Sequence, residues 1–279
     1  MSKPLFSLLI ANYNNGKYFE MCYKSIVNQV FERWEVIIVD DASTDDSVKI
    51  IKNIISNDKR FKFYENDRNY GCGYTKRRCI ELAKSEIVGF LDPDDSITEN
   101  AIGKMFSLHN ENKDVSLIYS SLNLCDDNLN FQSIRKSKQV ENENVNFFNF
   151  EGLIFHFTTF KKSFYNQTEG INPYLKRAID QDLSLKLYEK GKVLYVDEIL
   201  YNYRIHENGI STLRNTNKAY FWHWVVVIEA AKRRNINVES IFLEKAMTTS
   251  RERALEKEIS EYNKSIIFKI IRKLGLFKI

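Results

Sequence analysis

The chain has 279 residues, 43% hydrophobic and 13% aromatic, enough for one large domain or one and a half with a substantial core. Its 41 basic and 37 acidic side chains leave a formal net charge of +4, too small for the broad positive field of a nucleic-acid binder. Cys22, Cys72, Cys79 and Cys125 form no CxxC pair and read as reduced thiols of a cytoplasmic protein. No signal peptide is expected before Leu5, and no apolar run approaches the ~18 residues of a membrane span.

Leu5–Ala11 predicts a first strand, which gives way to a turn-rich loop, Asn12-Tyr13-Asn14-Asn15-Gly16. Lys17–Val30 fits a helix with Phe19, Cys22, Ile26 and Val30 on one face. The next strand, Trp34–Val39, contains the continuous apolar run Val36–Val39, the mark of a strand buried on both faces. It ends in Asp40-Asp41. A helix over Ser47–Ser56, capped by Thr44 or Asp45, places Val48, Ile51 and Ile55 inside. A short strand Phe61–Tyr64, a helix near Gly73–Lys84 and a strand Glu86–Leu91 follow. Farther on, polar Ser120–Asn146 reads as a variable loop region, Lys192–Tyr203 as a hairpin, and residues 216–260 as helical. The alternation predicts an α/β fold, a Rossmann-like and mostly parallel sheet flanked by helices. The expected division is one domain over 1–215, with halves 1–100 and 101–215, and a helical extension over 216–279.

The Glu86–Leu91 strand ends in Asp92-Pro93-Asp94-Asp95, three carboxylates in four residues. Such a cluster repels itself unless a cation or hydrogen-bond donors sit beside it. Hard cations such as Mg²⁺ or Mn²⁺ take oxygen ligands of this kind, usually with substrate phosphates completing the shell. An acidic turn that caps a helix starting near Ile97 would show the same residues. The second acidic pair, Asp40-Asp41, shifts the balance, because both strand ends fall beyond the carboxyl edge of one parallel sheet, where ligands bind. Other motifs fail: Gly71-Cys72-Gly73 lacks the third glycine of a dinucleotide fingerprint, and no Walker lysine, HExxH or nucleophile-elbow serine is present. His109, His156 and His223 read as structural.

Taken in order, Leu9-Ile10-Ala11-Asn12-Tyr13-Asn14, Ser25–Gln29, Glu35–Asp45, Asn69-x-Gly71, Ala83–Glu86 and Phe90–Asp95 resemble the opening of family-2 glycosyltransferases with the GT-A fold. The likeness covers 5–100 and resumes over 170–211, through Asp180-Gln181-Asp182-Leu183 and Tyr203-Arg204-Ile205-His206. It implies transfer of a sugar, with inversion, from a nucleotide donor (most often a UDP-sugar) to an acceptor hydroxyl of a surface-glycan or lipid-linked saccharide. It implies Mn²⁺ or Mg²⁺ as cofactor, with Asp94, Asp95 and His206 as expected ligands. Which of Asp92, Asp94 and Asp95 touches metal stays open. Ala11, Tyr13, Asp41, Lys76, Arg77, Asp92 and Asp94 are the expected nucleotide-sugar contacts, with Tyr13 stacked on the base and Asp41 accepting its N–H. Asp180 is the expected general base, with Asp182 as the alternative. Two departures stand out: Ile179 precedes Asp180 where the family usually has Glu, and Thr75-Lys76-Arg77 stands where it often has Ala-Arg-Asn. A catalytically silent sugar-nucleotide-binding subunit and a sugar-phosphate nucleotidyltransferase are the rival readings.

In the tail 264–279, Ile266, Ile267, Ile270, Ile271, Leu274 and Phe277 share a helical arc beside Lys264, Lys269, Arg272 and Lys273. That pattern predicts an interfacial helix on an anionic membrane surface, which the family resemblance would place on the inner face of the cell membrane. Packing on the protein itself, or on a second copy in a homodimer, is the competing expectation.

Overall fold

The computed structural model describes residues 3–206, 216–246 and 250–265. Strands β1 (Phe6–Asn12) and β2 (Trp34–Asp40) are buried on both faces, with Leu8, Ile10, Val36 and Ile38 fully excluded from solvent. This is what an uninterrupted apolar run requires, since neither face has polar residues to offer water. Parallel pairing joins β2 to β1 and to β3 (Phe61–Glu65), and joins β1 to β4 (Ile87–Phe90).

The intervening helices are α1 (Phe19–Val27), α2 (Ser47–Ile55) and α3 (Cys72–Leu82). α1 buries Phe19, Cys22 and Ile26, and α2 buries Ile51 and Ile55. α1 stops short of the expected Val30: Asn28 caps it, and Val30, past the end, is 70% exposed. Gly16, in the loop after β1, is required by proximity, because a Cβ there would lie 2.4 Å from the Ser47 Cα.

Beyond β4 the sheet is mixed. The short β5 (Ser96–Ile97) and α4 (Ala101–Glu111) lead into β6 (Val115–Cys125), β7 (Phe131–Arg135) and β8 (Thr158–Lys161). Then come α5 (Lys162–Tyr165), α6 (Ile179–Tyr188) and β9 (Lys192–Arg204). The order is β3-β2-β1-β4-β8-β6-β9-β5, with β7 added on β6. β8 runs antiparallel between β4 and β6, whereas β9 is parallel to β6.

Two expectations are corrected here. Much of Ser120–Asn146 is strand, because β6 continues to Cys125 and is followed by exposed β7; its polar residues lie on an open hairpin. Lys192–Tyr203 is one long strand with register shifts against β6, not a hairpin. Winding reverses at β1, with β2 on one side and β4 on the other, and such a switch point opens a crevice at the carboxyl ends of the strands.

The described residues fall into two compact units, one up to Ala230 and one from Ala231 onward. Helix α7 (Thr216–Arg234) contributes buried Trp224, Val226 and Val227 to the first. The second contains α8 (Glu239–Ala246), with no buried residue, and α9 (Ser250–Lys264), which exposes Leu255 and Ile259. The boundary expected at 215/216 adjoins residues outside the described set, and so does the tail from 266. No helix of the described residues is long and apolar enough to cross a membrane.

Candidate active site

Two adjoining cavities open at the carboxyl ends of β1, β2 and β4, sharing Ala11, Asn15 and Cys72 in their walls. The first, about 780 Å³, is lined by Tyr13, Asp41, Asn69, Tyr70, Thr75 and Tyr174, among others. Asp41 sits at its base and accepts hydrogen bonds from Asn66 Nδ2 (2.6 Å) and from the amides of Tyr70 (3.0 Å) and Gly71 (2.7 Å). An ionised carboxylate offers about four acceptor positions, so one remains for a ligand N–H. Its neighbour Asp40 serves the fold: its carboxylate accepts from Asn12 Nδ2 and from the Ser43 amide and hydroxyl. Ala42, directly after the pair, takes a left-handed backbone (φ 57°), a strained choice for a residue with a Cβ. Tyr13 is 43% exposed, with its ring free to receive a planar ligand.

The second cavity, about 480 Å³, contains the charged groups. Buried Lys76, on α3, places Nζ 2.8 Å from Asp180 Oδ1 and 3.3 Å from Asp92 Oδ1. His156 Nε2 lies 3.7 Å from the other oxygen of each carboxylate. Its ring stacks on Tyr201 with centroids 5.1 Å apart, and its Nδ1 is buried without a partner among the described residues. Burial works against the Lys76 ammonium, but Asp180 and Asp92 outweigh it and hold its pKa well above the ordinary value. Burial likewise pushes Asp180 upward, yet Lys76 and His156 prevail and hold its carboxyl below the usual carboxylate range. Ala178, left-handed at φ 57°, turns the chain into α6 so that Asp180 sits in the first helical turn with its side chain 50% exposed to the cavity.

The acidic triplet divides its work. Asp94 Oδ2 lies 2.8 Å from His206 Nε2. Asp95 is buried, and both its oxygens are engaged, accepting from Tyr201 Oη at 2.6 Å and from the Arg204 amide at 2.7 Å. It ties the end of β4 to β9. Burial first, then the charges of Asp94 and Asp92, push its carboxyl well above the usual range. Among the described residues no three His, Cys, Asp or Glu side chains converge as a metal cage. The available donor set is one carboxylate and one imidazole, with room beside them. That suits Mn²⁺ or Mg²⁺, which commonly take one or two protein ligands and complete the shell from phosphates and water. His206 Nδ1 is buried without a partner among the described residues, so its ring has no competing engagement on that side.

Lys76, Asp92, Asp94, Asp180 and His206, named from sequence, converge on one cavity, and Ala11, Tyr13 and Asp41 on the other. Arg77 joins neither; it pairs with Glu81 and donates toward the Ile171 carbonyl. Asp182 is buried, accepting from Lys186 Nζ (2.8 Å) and the Asn172 amide (3.2 Å), away from the open carboxylates. Sequence reasoning assigned His156 to the structure and passed over Tyr201 and Arg204. His156 lies in an irregular aromatic segment with no periodicity to aim it. Tyr201 falls inside the expected Lys192–Tyr203 hairpin, and Arg204 enters only as a member of the Tyr203–His206 resemblance, with no role attached to either. His109 and His223 are structural as expected: buried His109 Nε2 lies 3.0 Å from Thr159 Oγ1 with its pKa lowered by burial to about 3, and His223 Nδ1 meets Gln181 Oε1.

The model of the family described as glycosyl transferase family 2 matches residues 7–183, more than half of the chain. The chain is 31% identical to a chondroitin synthase of Escherichia coli over 240 residues, covering 84% of this chain and 33% of that protein. It is 28% identical to the GalNAc(5)-diNAcBac-PP-undecaprenol beta-1,3-glucosyltransferase of Campylobacter jejuni, covering 78% and 70%. The chain thus spans about a third of the synthase, and 24% of two further relatives, a chondroitin and a hyaluronan synthase of Pasteurella multocida. Among solved structures, S. aureus TarS 1-349 in complex with UDP-GlcNAc superposes with a TM-score of 0.67 at 21% identity, covering 81% of this chain and 66% of that one. Mannosyltransferase PcManGT from Pyrobaculum calidifontis, in complex with GDP-Man and Mn²⁺, gives 0.59 at 14% identity, covering 97% and 83%. The fold is therefore GT-A, and the chain belongs to glycosyl transferase family 2.

Proposed function

We propose that the chain transfers a sugar from a UDP-sugar to an acceptor hydroxyl, with inversion, in the synthesis of a glycan. The observation that carries this reading is the juxtaposition of the two cavities. One suits a planar base and ribose at Tyr13 and Asp41, and the other aligns Lys76, Asp92, Asp94 and His206 along the path a diphosphate would take toward Asp180. The ligands bound in two similar structures, UDP-GlcNAc and GDP-Man, are nucleotide sugars and support the donor class.

Asp94 and His206 are the residues that would hold Mn²⁺ or Mg²⁺, and the ion would neutralise charge developing on the leaving diphosphate. Asp95 acts as the brace that keeps Asp94 and the β9 end in place. Asp180 accepts the proton of the acceptor hydroxyl as that oxygen bonds to the anomeric carbon. The bond from that carbon to the diphosphate breaks on the opposite face, and the electron pair leaves with the nucleotide. Lys76 links the two events. Its ammonium faces Asp180 and Asp92 in the resting protein, and an incoming diphosphate competes for it, which raises the proton affinity of Asp180 when donor is bound.

Isothermal calorimetry with UDP tests the donor half. Wild-type protein should bind UDP more tightly with Mn²⁺ than with EDTA, and Asp94→Asn should lose the difference. Equal binding under both conditions would overturn the metal assignment, and no UDP binding would overturn the donor.

A further inference from the structure

The wall of the charged cavity on the β6 and β9 side, across β4 and β8 from the nucleoside pocket, is apolar and aromatic: Leu122, Leu124, Phe155 and Tyr203. Of the cations that line this cavity, Lys76, Arg177 and Arg135, it is Arg135 that stands on this wall. Arg135, the last residue of β7, lies opposite Leu122 of β6, which in turn lies opposite Tyr201 of β9, the tyrosine that holds Asp95. Its guanidinium lies 4.4 Å over the Phe155 ring, and Nη2 donates to the Gly152 carbonyl at 3.1 Å. Gly152 is left-handed (φ +59°), and a Cβ there would come within 3.0 Å of Nη2, so this seat depends on a glycine. The residue following Phe155 is His156, which faces Asp180.

Arg135 pairs with no carboxylate of the described residues. The acids of the cavity are engaged elsewhere: Asp92 and Asp180 with Lys76 and His156, Asp94 with His206, and Asp95 with Tyr201 and Arg204. A guanidinium laid on an aromatic face keeps its outward N–H fork available, and that planar fork matches a carboxylate or a phosphate. On this wall such a cation offsets the repulsion that the cavity's carboxylates exert on a negatively charged acceptor.

We propose that Arg135 is the anion-binding residue of the acceptor subsite, so that the acceptor is a saccharide bearing a carboxylate or a phosphate near its reacting hydroxyl. The inference rests on the glycosyltransferase reading above and deepens it. The acceptor's anion is held across the crevice from the donor diphosphate, leaving the hydroxyl beside Asp180.

Saturation-transfer NMR on the full chain with UDP and Mn²⁺ provides the test. It compares p-nitrophenyl β-glucoside with p-nitrophenyl β-glucuronide and with the 6-phosphate of the glucoside. At least one anionic probe should bind roughly tenfold or more tightly than the neutral one, the worth of a charge-assisted hydrogen-bond pair. Arg135→Gln should abolish that preference and Arg135→Lys should keep part of it, with UDP affinity unchanged in both. Which anion wins identifies its source, carboxylate or phosphate. Equal binding of all probes, binding of none, or a preference that survives Arg135→Gln would overturn the proposal. In any of these cases, intact UDP binding shows that only the acceptor inference has failed, whereas lost UDP binding tells against the donor reading itself.

Discussion

Replacing Lys76 with Met keeps most of the side-chain volume and removes the charge between Asp92 and Asp180. Unit charges about 3 Å apart at an effective dielectric near 20 interact by about 5 kcal/mol. Half of the Asp180 side chain faces the open cavity, however, and solvent screening brings the pair toward the ~1 kcal/mol measured for exposed ion pairs. The pair thus favours the ionised form of Asp180. The direction follows from linkage. Asp180 titrates below the usual carboxylate range in the folded protein, so the pair contributes stability above that range and loses it as pH falls through the folded value. Lys76 titrates above its ordinary value, so its share is fully present at neutral pH and is lost only under alkaline conditions. With Lys76 gone, only His156 remains to oppose the burial that disfavours ionisation of Asp180. The assay is UDP release from a UDP-sugar at saturating Mn²⁺, as kcat/KM against pH. The acidic limb of Lys76→Met should move upward relative to wild type, so that kcat/KM measured on that limb falls roughly fivefold, the equivalent of ~1 kcal/mol. A limb that stays in place or moves down would refute the assignment of Asp180 as the base restrained by Lys76.

Asp180→Asn should lower turnover by roughly two to four orders of magnitude, the usual contribution of a general base, while UDP affinity by calorimetry is kept or rises, because Lys76 loses a competing carboxylate. Asp182→Asn should spare kcat and instead lower thermal stability, because it breaks the buried pair with Lys186, a loss of about 3–5 kcal/mol. Tyr201→Phe removes a hydrogen bond to buried Asp95 and should cost about 1.5–3 kcal/mol, read by denaturant unfolding, and should weaken Mn²⁺-dependent UDP binding as the brace loosens. His156→Ala should reduce kcat more than it raises the donor KM, with partial recovery in His156→Gln, since a Gln amide can still donate toward Asp180; equal effects on both constants would make His156 a structural residue only.

The parallel half of the fold was legible because its signals are local and redundant. Val36–Val39 must be buried on both faces, and Asp41 and Asp92 mark the strand ends where a crevice forms. The second half resisted for physical reasons. β6 and β9 are long strands whose polar and apolar residues answer to mixed neighbours, so Ser120–Asn146 resembled a loop and Lys192–Tyr203 a hairpin. Asp95 shows the limit of motif reading. Its sequence neighbours make it look like a third ligand, while tertiary partners more than one hundred residues away, Tyr201 and Arg204, claim both its oxygens. His156 is the converse case, a lone histidine given meaning only by the turn that places it beside Asp180.

The central claim is that nucleotide-sugar cleavage here depends on a divalent cation at Asp94 and His206. The most direct measurement is product identification by mass spectrometry after incubating purified protein with a panel of UDP-sugars, with Mn²⁺ or with EDTA. UDP is the expected nucleotide product from at least one donor, with Mn²⁺ only, and it should be lost in Asp94→Asn. UDP release undiminished in EDTA, undiminished release by Asp94→Asn, or no release from any donor would contradict it.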